Sequence, residues 1–164
     1  MSLNISTALI FAAMVLPVAG MSAHAQTGSQ PIVQPAAQKA SVAKHRLAIQ
    51  VNDNDPKIMN LALNNVANVT AYYKAKGETI QIEVVTYGPG LHMLRSDTSP
   101  VKARIASMSL EMPHVTFSAC QNTRENMSKQ ESKPIDIVNE AKPVPSGVVT
   151  LLELQEKGFA YLRP

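Results

Sequence analysis

The order of segments predicts an α/β fold, a three-layer α/β/α sandwich built on a mainly parallel five-stranded sheet. Three observations carry that expectation. Short runs rich in β-branched residues alternate with longer stretches of helical period, the pattern of strand–helix–strand crossovers. One of those runs, Thr79 to Thr86, has the apolar centre Val84-Val85 expected of a strand covered on both faces. Capping and stop residues delimit the helical stretches.

Residues 1–25 read as an export signal. Leu9 to Leu16 forms an apolar core, followed by Pro17, Gly20 and the small-residue pattern Ala23-His24-Ala25, with cleavage expected before Gln26. Met1 to Thr7 lacks the positive charge that such signals usually carry, and an uncleaved anchor is the alternative. The run is shorter than the roughly 20 apolar residues of a comfortable spanning helix, so no stable membrane span is expected after cleavage. The expected location is periplasmic or secreted. Residues 26–45, rich in Ala, Gln, Ser and Pro without a sustained period, read as a flexible linker.

That leaves residues 46–164 as one domain, large enough for a genuine core. The signal contains no charged residue, so the mature chain keeps the formal charge of +3. The excess is mild and scattered, with few aromatics and no basic block, which argues against a nucleic-acid partner. A single cysteine cannot form an internal disulfide; it is buried and inert, paired with another chain, or a free thiol.

Arg46 to Asn52 is the first strand, and Asp53-Asn54-Asp55-Pro56 suits a turn and helix cap. From Lys57 to Lys76, Ile58, Met59, Ala62, Leu63, Val66, Val69 and Tyr73 share one face, while Asn60, Asn64 and Asn68 line the solvated one; Gly77 is the stop. The strand Thr79 to Thr86 runs into Tyr87-Gly88-Pro89-Gly90-Leu91-His92. Two glycines around a proline let the backbone approach a ligand or make a tight strand-to-helix turn, and dinucleotide and P-loop spacings are absent. His92 is a candidate general base or anion donor, with plain solvation as the alternative.

Ser96 to Pro100 offers a cap for a helix with Val101, Ile105, Met108 and Met112 on one face, the methionines as core filler. Pro113-His114 ends it and opens the strand Val115 to Ala119, which delivers Cys120 to a polar turn; His114 lies at the far end. Asn122 to Lys133 reads as a short exposed helix or mobile cover, and residues 134–141 carry no clear pattern. A proline-flanked strand around Lys142 to Pro145 belongs near a sheet edge. Ser146-Gly147 caps an apolar helix, Val148 to Lys157, ended by Gly158, and Phe159 to Leu162 is the closing strand.

Open α/β sheets bind ligands at the C-terminal edge of their strands. The candidate reactive residue there is Cys120. A cysteine just before a helix N-terminus has free backbone N–H groups to stabilise its thiolate. Asn122, Thr123 and Arg124 are candidate donors, and Asn52, Gly88, Gly90 and His92 come from neighbouring loops as candidate ligand contacts. The alternative is a small core residue, a common fate of free cysteines. No Ser/His/Asp or metal-ligand spacing is visible, so no cofactor or metal is expected.

Tyr87-Gly88-Pro89-Gly90, Phe117-Ser118-Ala119-Cys120-Gln121-Asn122-Thr123, Val144-Pro145-Ser146-Gly147-Val148-Val149 and the ending Glu156 to Pro164 resemble, in order and spacing, the DsrE/DsrF-like family. The resemblance covers roughly residues 46–164. It implies a compact α/β/α fold that assembles into homo- or hetero-oligomers and, in the sulfur-relay members, a persulfide-carrying cysteine that Cys120 matches. The relay members are cytoplasmic and work with partner subunits, whereas this chain reads as exported and has no second thiol. The expectation is an exported, homo-oligomeric sulfur carrier or small-ligand binder, with a sulfur donor or acceptor protein as partner. A carrier is expected rather than a turnover enzyme, because one cysteine cannot complete an internal disulfide cycle. The alternative is a non-catalytic oligomeric interaction module in which Cys120 is structural and the Gly-Pro-Gly loop serves assembly.

Overall fold

The computed structural model describes residues 43–164, so the expected export signal and nearly all of the expected linker lie outside the described residues. Five strands, β1 (His45–Val51), β2 (Ile80–Thr86), β3 (Val115–Cys120), β4 (Ala141–Val144) and β5 (Ala160–Leu162), form one sheet in the order β4-β3-β2-β1-β5. Every neighbouring pair is parallel. Four helices connect them: α1 (Pro56–Ala75), α2 (Lys102–Glu111), α3 (Gln121–Glu131) and α4 (Gly147–Glu156). The expected α/β class is observed, and β4 lies at a sheet edge as its prolines require. Among the described residues, no helix is long and apolar enough to cross a membrane.

Strand alternation sorts side chains onto two unequal faces. Ile49, Val51, Ile82, Val84, Phe117 and Ala119 meet α1, α2 and the segment after β2 in the larger core. Ala48 and Val85 point the other way and meet Leu151 and Leu154 of α4, with Phe159, in the smaller one. The strand order explains the asymmetry. From β1 to β4 the chain steps along the sheet in one direction; it must then cross back over three strands to place β5 beside β1, and α4 makes that crossing.

Local rules explain most boundaries. The Asp55 carboxylate accepts the Lys57 N–H at 2.8 Å, with Pro56 opening α1, so the Asp-Pro cap forms as expected. Ser146 caps α4 by accepting from the Val149 N–H. The first strand begins at His45, inside the stretch assigned to the linker, because the His45 ring stacks on Tyr73 at 3.8 Å and Nε2 meets Glu78 at 2.7 Å.

Other expectations are corrected. The Asn row on α1 is not simply solvated: Arg104 of α2 donates to the side-chain oxygens of Asn60 and Asn64. The Gly-Pro-Gly loop continues as a 3-10 helix, Gly88–Leu94, that buries Leu91, Met93 and Leu94. The Ser99 hydroxyl accepts the Val101 N–H at 3.3 Å, the cap-like bond expected there, while donating to the Met93 carbonyl, and the regular turns of α2 begin at Lys102. The patternless stretch 134–141 buries Ile135 and Val138 and holds two backbone bonds, Ser96 N–H to Asp136 O and Val138 N–H to Leu94 O, both 2.9 Å. These tertiary contacts have no periodic signature.

Candidate functional site

β3 hands Cys120 to the C-terminal edge of the sheet, where it is also the N-cap residue of α3. By strand alternation its side chain shares a face with Ser118, whose hydroxyl donates to Glu83 at 2.6 Å, so the thiol lies on the α4 side. It is 5% exposed. β3 leads into α3, whose Met127 packs on the larger core, while β4 leads into α4 on the smaller one. The gap between β3 and β4 is therefore a topological switch point, the place where open α/β sheets form crevices.

Three turns interlock around the sulfur. The Gly88 N–H donates to the Thr123 hydroxyl at 2.9 Å, joining the turn after β2 to the start of α3. The Asn122 N–H reaches the Pro145 carbonyl at 3.3 Å, joining α3 to the turn before α4. Gly147 rests on the Tyr87 side chain, closing the ring of contacts.

Burial pushes the Cys120 thiol up, but the nearby Thr123 hydroxyl and the backbone N–H groups of Gly147, Thr123 and Asn122 outweigh it and hold the thiol below its ordinary value. All four donors are uncharged. Arg124, a candidate donor from its position, turns instead to the Ile135 carbonyl.

The expected ligand contacts separate into groups. Gly88, His92 and Thr123 line one groove of about 480 Å³, together with Asn54, Asn126 and Gln130. Arg95 and Glu131 form part of its wall, and the Arg95 guanidinium is buried between Asp97 and Glu131, which it binds through both side-chain oxygens of each. His92 Nε2 lies 3.1 Å from the Thr98 carbonyl, so that nitrogen is engaged as a donor. Asn52 is half-buried at the end of β1 and Asn122 is exposed; neither lines the groove. Gly90 is a packing residue, because a Cβ there would lie 2.3 Å from the Val51 carbonyl oxygen.

His114 sits at the opposite end of β3, bonded to Thr70 at 3.0 Å, and does not reach Cys120. Two larger depressions, about 560 and 680 Å³, lie at that opposite end, around Tyr72 and Tyr73 and around His114. Neither adjoins the thiol. Among the described residues, no group of three His, Cys, Asp or Glu side chains could hold a metal ion.

The residues that local reading missed are Tyr87, Arg95 and the Gly147 N–H. Ser146-Gly147 was visible as a cap, but nothing local points it at a cysteine on another strand.

No protein-family model and no curated protein matches the chain. Among solved structures, it is similar to a protein of unknown function from Methanobacterium thermoautotrophicum, with 29% identity, a TM-score of 0.63, and coverage of 73% of this chain and 99% of that one.

Proposed function

We propose that the domain is an exported, DsrE-like sulfur acceptor that carries sulfane sulfur on Cys120 and works as a homo-oligomer with a donor or acceptor protein. The observation that carries the reading is the place of Cys120 at the C-terminal edge of β3 and at the N-cap of α3, beside the β3/β4 switch point, where its thiol is held below its ordinary value and the nucleophilic thiolate is favoured. The thiolate attacks the outer sulfur of a donor persulfide, R–S–SH. A Cys120–S–SH bond forms, the donor's S–S bond breaks, and R–S⁻ leaves with the electron pair. An acceptor thiolate repeats the step in the other direction, so no external oxidant or reductant is consumed.

The test is incubation with a low-molecular-weight persulfide, followed by intact mass measurement. Uptake of one sulfur, abolished in Cys120→Ala, supports the reading; an unreactive thiol in the folded protein sinks it.

A second reading rests on one specific observation, that Cys120 is only 5% exposed. In that reading the cysteine is structural and the domain is a non-catalytic oligomeric module. Normal function of Cys120→Ala, with no sulfur uptake by the wild type, favours it.

A further inference from the structure

We propose that the outer side of α4 is a self-association surface, on which two copies of this chain pack as a twofold dimer with their α4 helices antiparallel. The inference deepens the homo-oligomer of the function proposed above, resting on that reading for the existence of an assembly and not for its sulfur chemistry.

Seven large apolar side chains stand exposed among the described residues, and four of them, Val148, Val149, Leu152 and Tyr161, lie on the α4 side of the sheet. Tyr161 belongs there because it is in register with Ala48, which packs under α4. The other three are each more than half exposed and fall within five consecutive residues. Single exposed apolar residues are ordinary on a surface; a group of them marks a contact.

The helix wheel shows how the group arises. Gly147, Leu151 and Leu154 are the buried residues of α4 and span an arc of about 60° at roughly 100° per residue. Val148 and Leu152 extend that arc to about 160°, with Val149 beyond them. Gln155, the polar side chain within the arc, turns its amide back to the Leu151 carbonyl. An apolar stripe of about 100° is enough to face one core. α4 therefore has the pattern of a helix covered on two sides, and the sheet covers one.

Charge identifies the second cover as another copy of the chain. α4 has no acidic residue in its first turn and no basic one in its last, while Glu153 and Glu156 stand near its C-terminus, where its own dipole disfavours them. Lys157 pairs with Glu153 at 3.8 Å, but Glu156 has no ion partner among the described residues. An antiparallel second α4 resolves this arrangement. When Val148 of one helix meets Leu152 of the other, each Glu156 lies just past the other helix's N-cap, toward its positive end and toward the exposed Lys142 of β4. A twofold axis makes that pairing mutual.

The size fits as well. The four side chains expose roughly 400 Å² of mostly apolar surface, comparable to the largest patch on an ordinary monomer. A specific dimer buries about 800 Å² per partner, somewhat more than half of it apolar. The patch supplies the centre of such an interface, and Glu153, Glu156 and Lys142 supply its polar rim.

The experiment is sedimentation equilibrium of the exported chain in reductant, so that no disulfide through Cys120 contributes. The wild type is expected at twice the chain mass at micromolar concentration. Leu152→Glu is expected to weaken association at least a hundredfold, with an unchanged thermal melt at concentrations where both proteins are monomeric. Should that variant fail to fold, Leu152→Gln takes its place with the same expected direction. Leu110→Glu, on the exposed side of α2, leaves the mass unchanged. Glu156→Lys weakens association about tenfold, because each copy loses a favourable helix end.

A monomeric wild type, a trimer, or a dimer indifferent to Leu152 overturns the proposal, and so does a patch that binds only a different protein. An association constant unchanged by Glu156→Lys overturns the antiparallel arrangement. A dimer that takes up no sulfur defeats the carrier reading alone. Sulfur uptake by a monomeric protein defeats this inference alone.

Discussion

On the α1/α2 face of the sheet, nineteen buried apolar residues interlock; on the α4 face only five do, and Gln50, Ser118 and Glu83 stand among them on the strands. Both faces belong to the same strands, so composition does not separate them. The difference is cover: one ten-residue helix lies over one face, while α1, α2, α3, the 3-10 segment and the stretch at Ile137-Val138 lie over the other. A thinly covered face can carry polar side chains, because they pair with one another at its margins, as Ser118 does with Glu83 and Tyr161 does with Gln50. The thiol opens on that side.

The comparison breaks most directly at β3, and the largest effect is expected there. Phe117→Ala empties the centre of the larger core and is expected to cost about 3–5 kcal/mol, against about 2 kcal/mol for Leu151→Ala beneath α4. Urea denaturation of the two variants checks the order; an equal or reversed cost removes the asymmetry. Gly90→Ala comes next, at about 1–3 kcal/mol, since its new Cβ meets the β1 backbone where neither side can yield. A cost near zero there means that the loop can lift freely from β1.

At the rim of the larger core, Arg95 holds the Asp97 and Glu131 carboxyls below the usual carboxylate range through direct hydrogen bonds. A carboxyl depressed in the folded state contributes stability that is present above its unfolded value and lost as pH falls through its folded value. Acid unfolding is therefore expected to steepen below the ordinary carboxylate range, and Arg95→Gln to flatten that limb of a pH-dependent thermal melt. A limb of unchanged shape shows that the ion network is not coupled to folding.

The smallest effect sharpens the other side. Cys120 is also depressed when folded, so the unfolded chain binds more protons between the folded value and the ordinary thiol value, and stability rises with pH across that window. The stability gap between wild type and Cys120→Ala is expected to widen from neutral to alkaline pH and to be smallest in acid. A constant gap indicates that the sulfur is held as a plain core atom.

Much of the fold was legible because its signals are local. Asp55-Pro56 and Ser146-Gly147 place caps at positions that the backbone requires, and α1 declares itself by a stripe from Met59 to Val66. The site was legible only in outline. Cys120, Thr123 and Gly88 are neighbours because β2 and β3 are, and alternation of strands and helices already implies that. Two glycines around a proline look alike from sequence, whereas only Gly90 presses on β1, a packing demand that no local signal announces.

The cysteine at the end of an apolar strand, the polar turn that receives it and the α/β class are properties of the sequence by itself, since each depends on residues a few positions apart. The strand order, the division into a heavily and a lightly covered face, and the seating of Gly147 against Tyr87 were decided only in three dimensions. The physical reason is that these depend on pairing and packing between segments far apart in the chain. Local propensity sets where a helix starts, but only the space left beside Tyr87 sets what that start can touch.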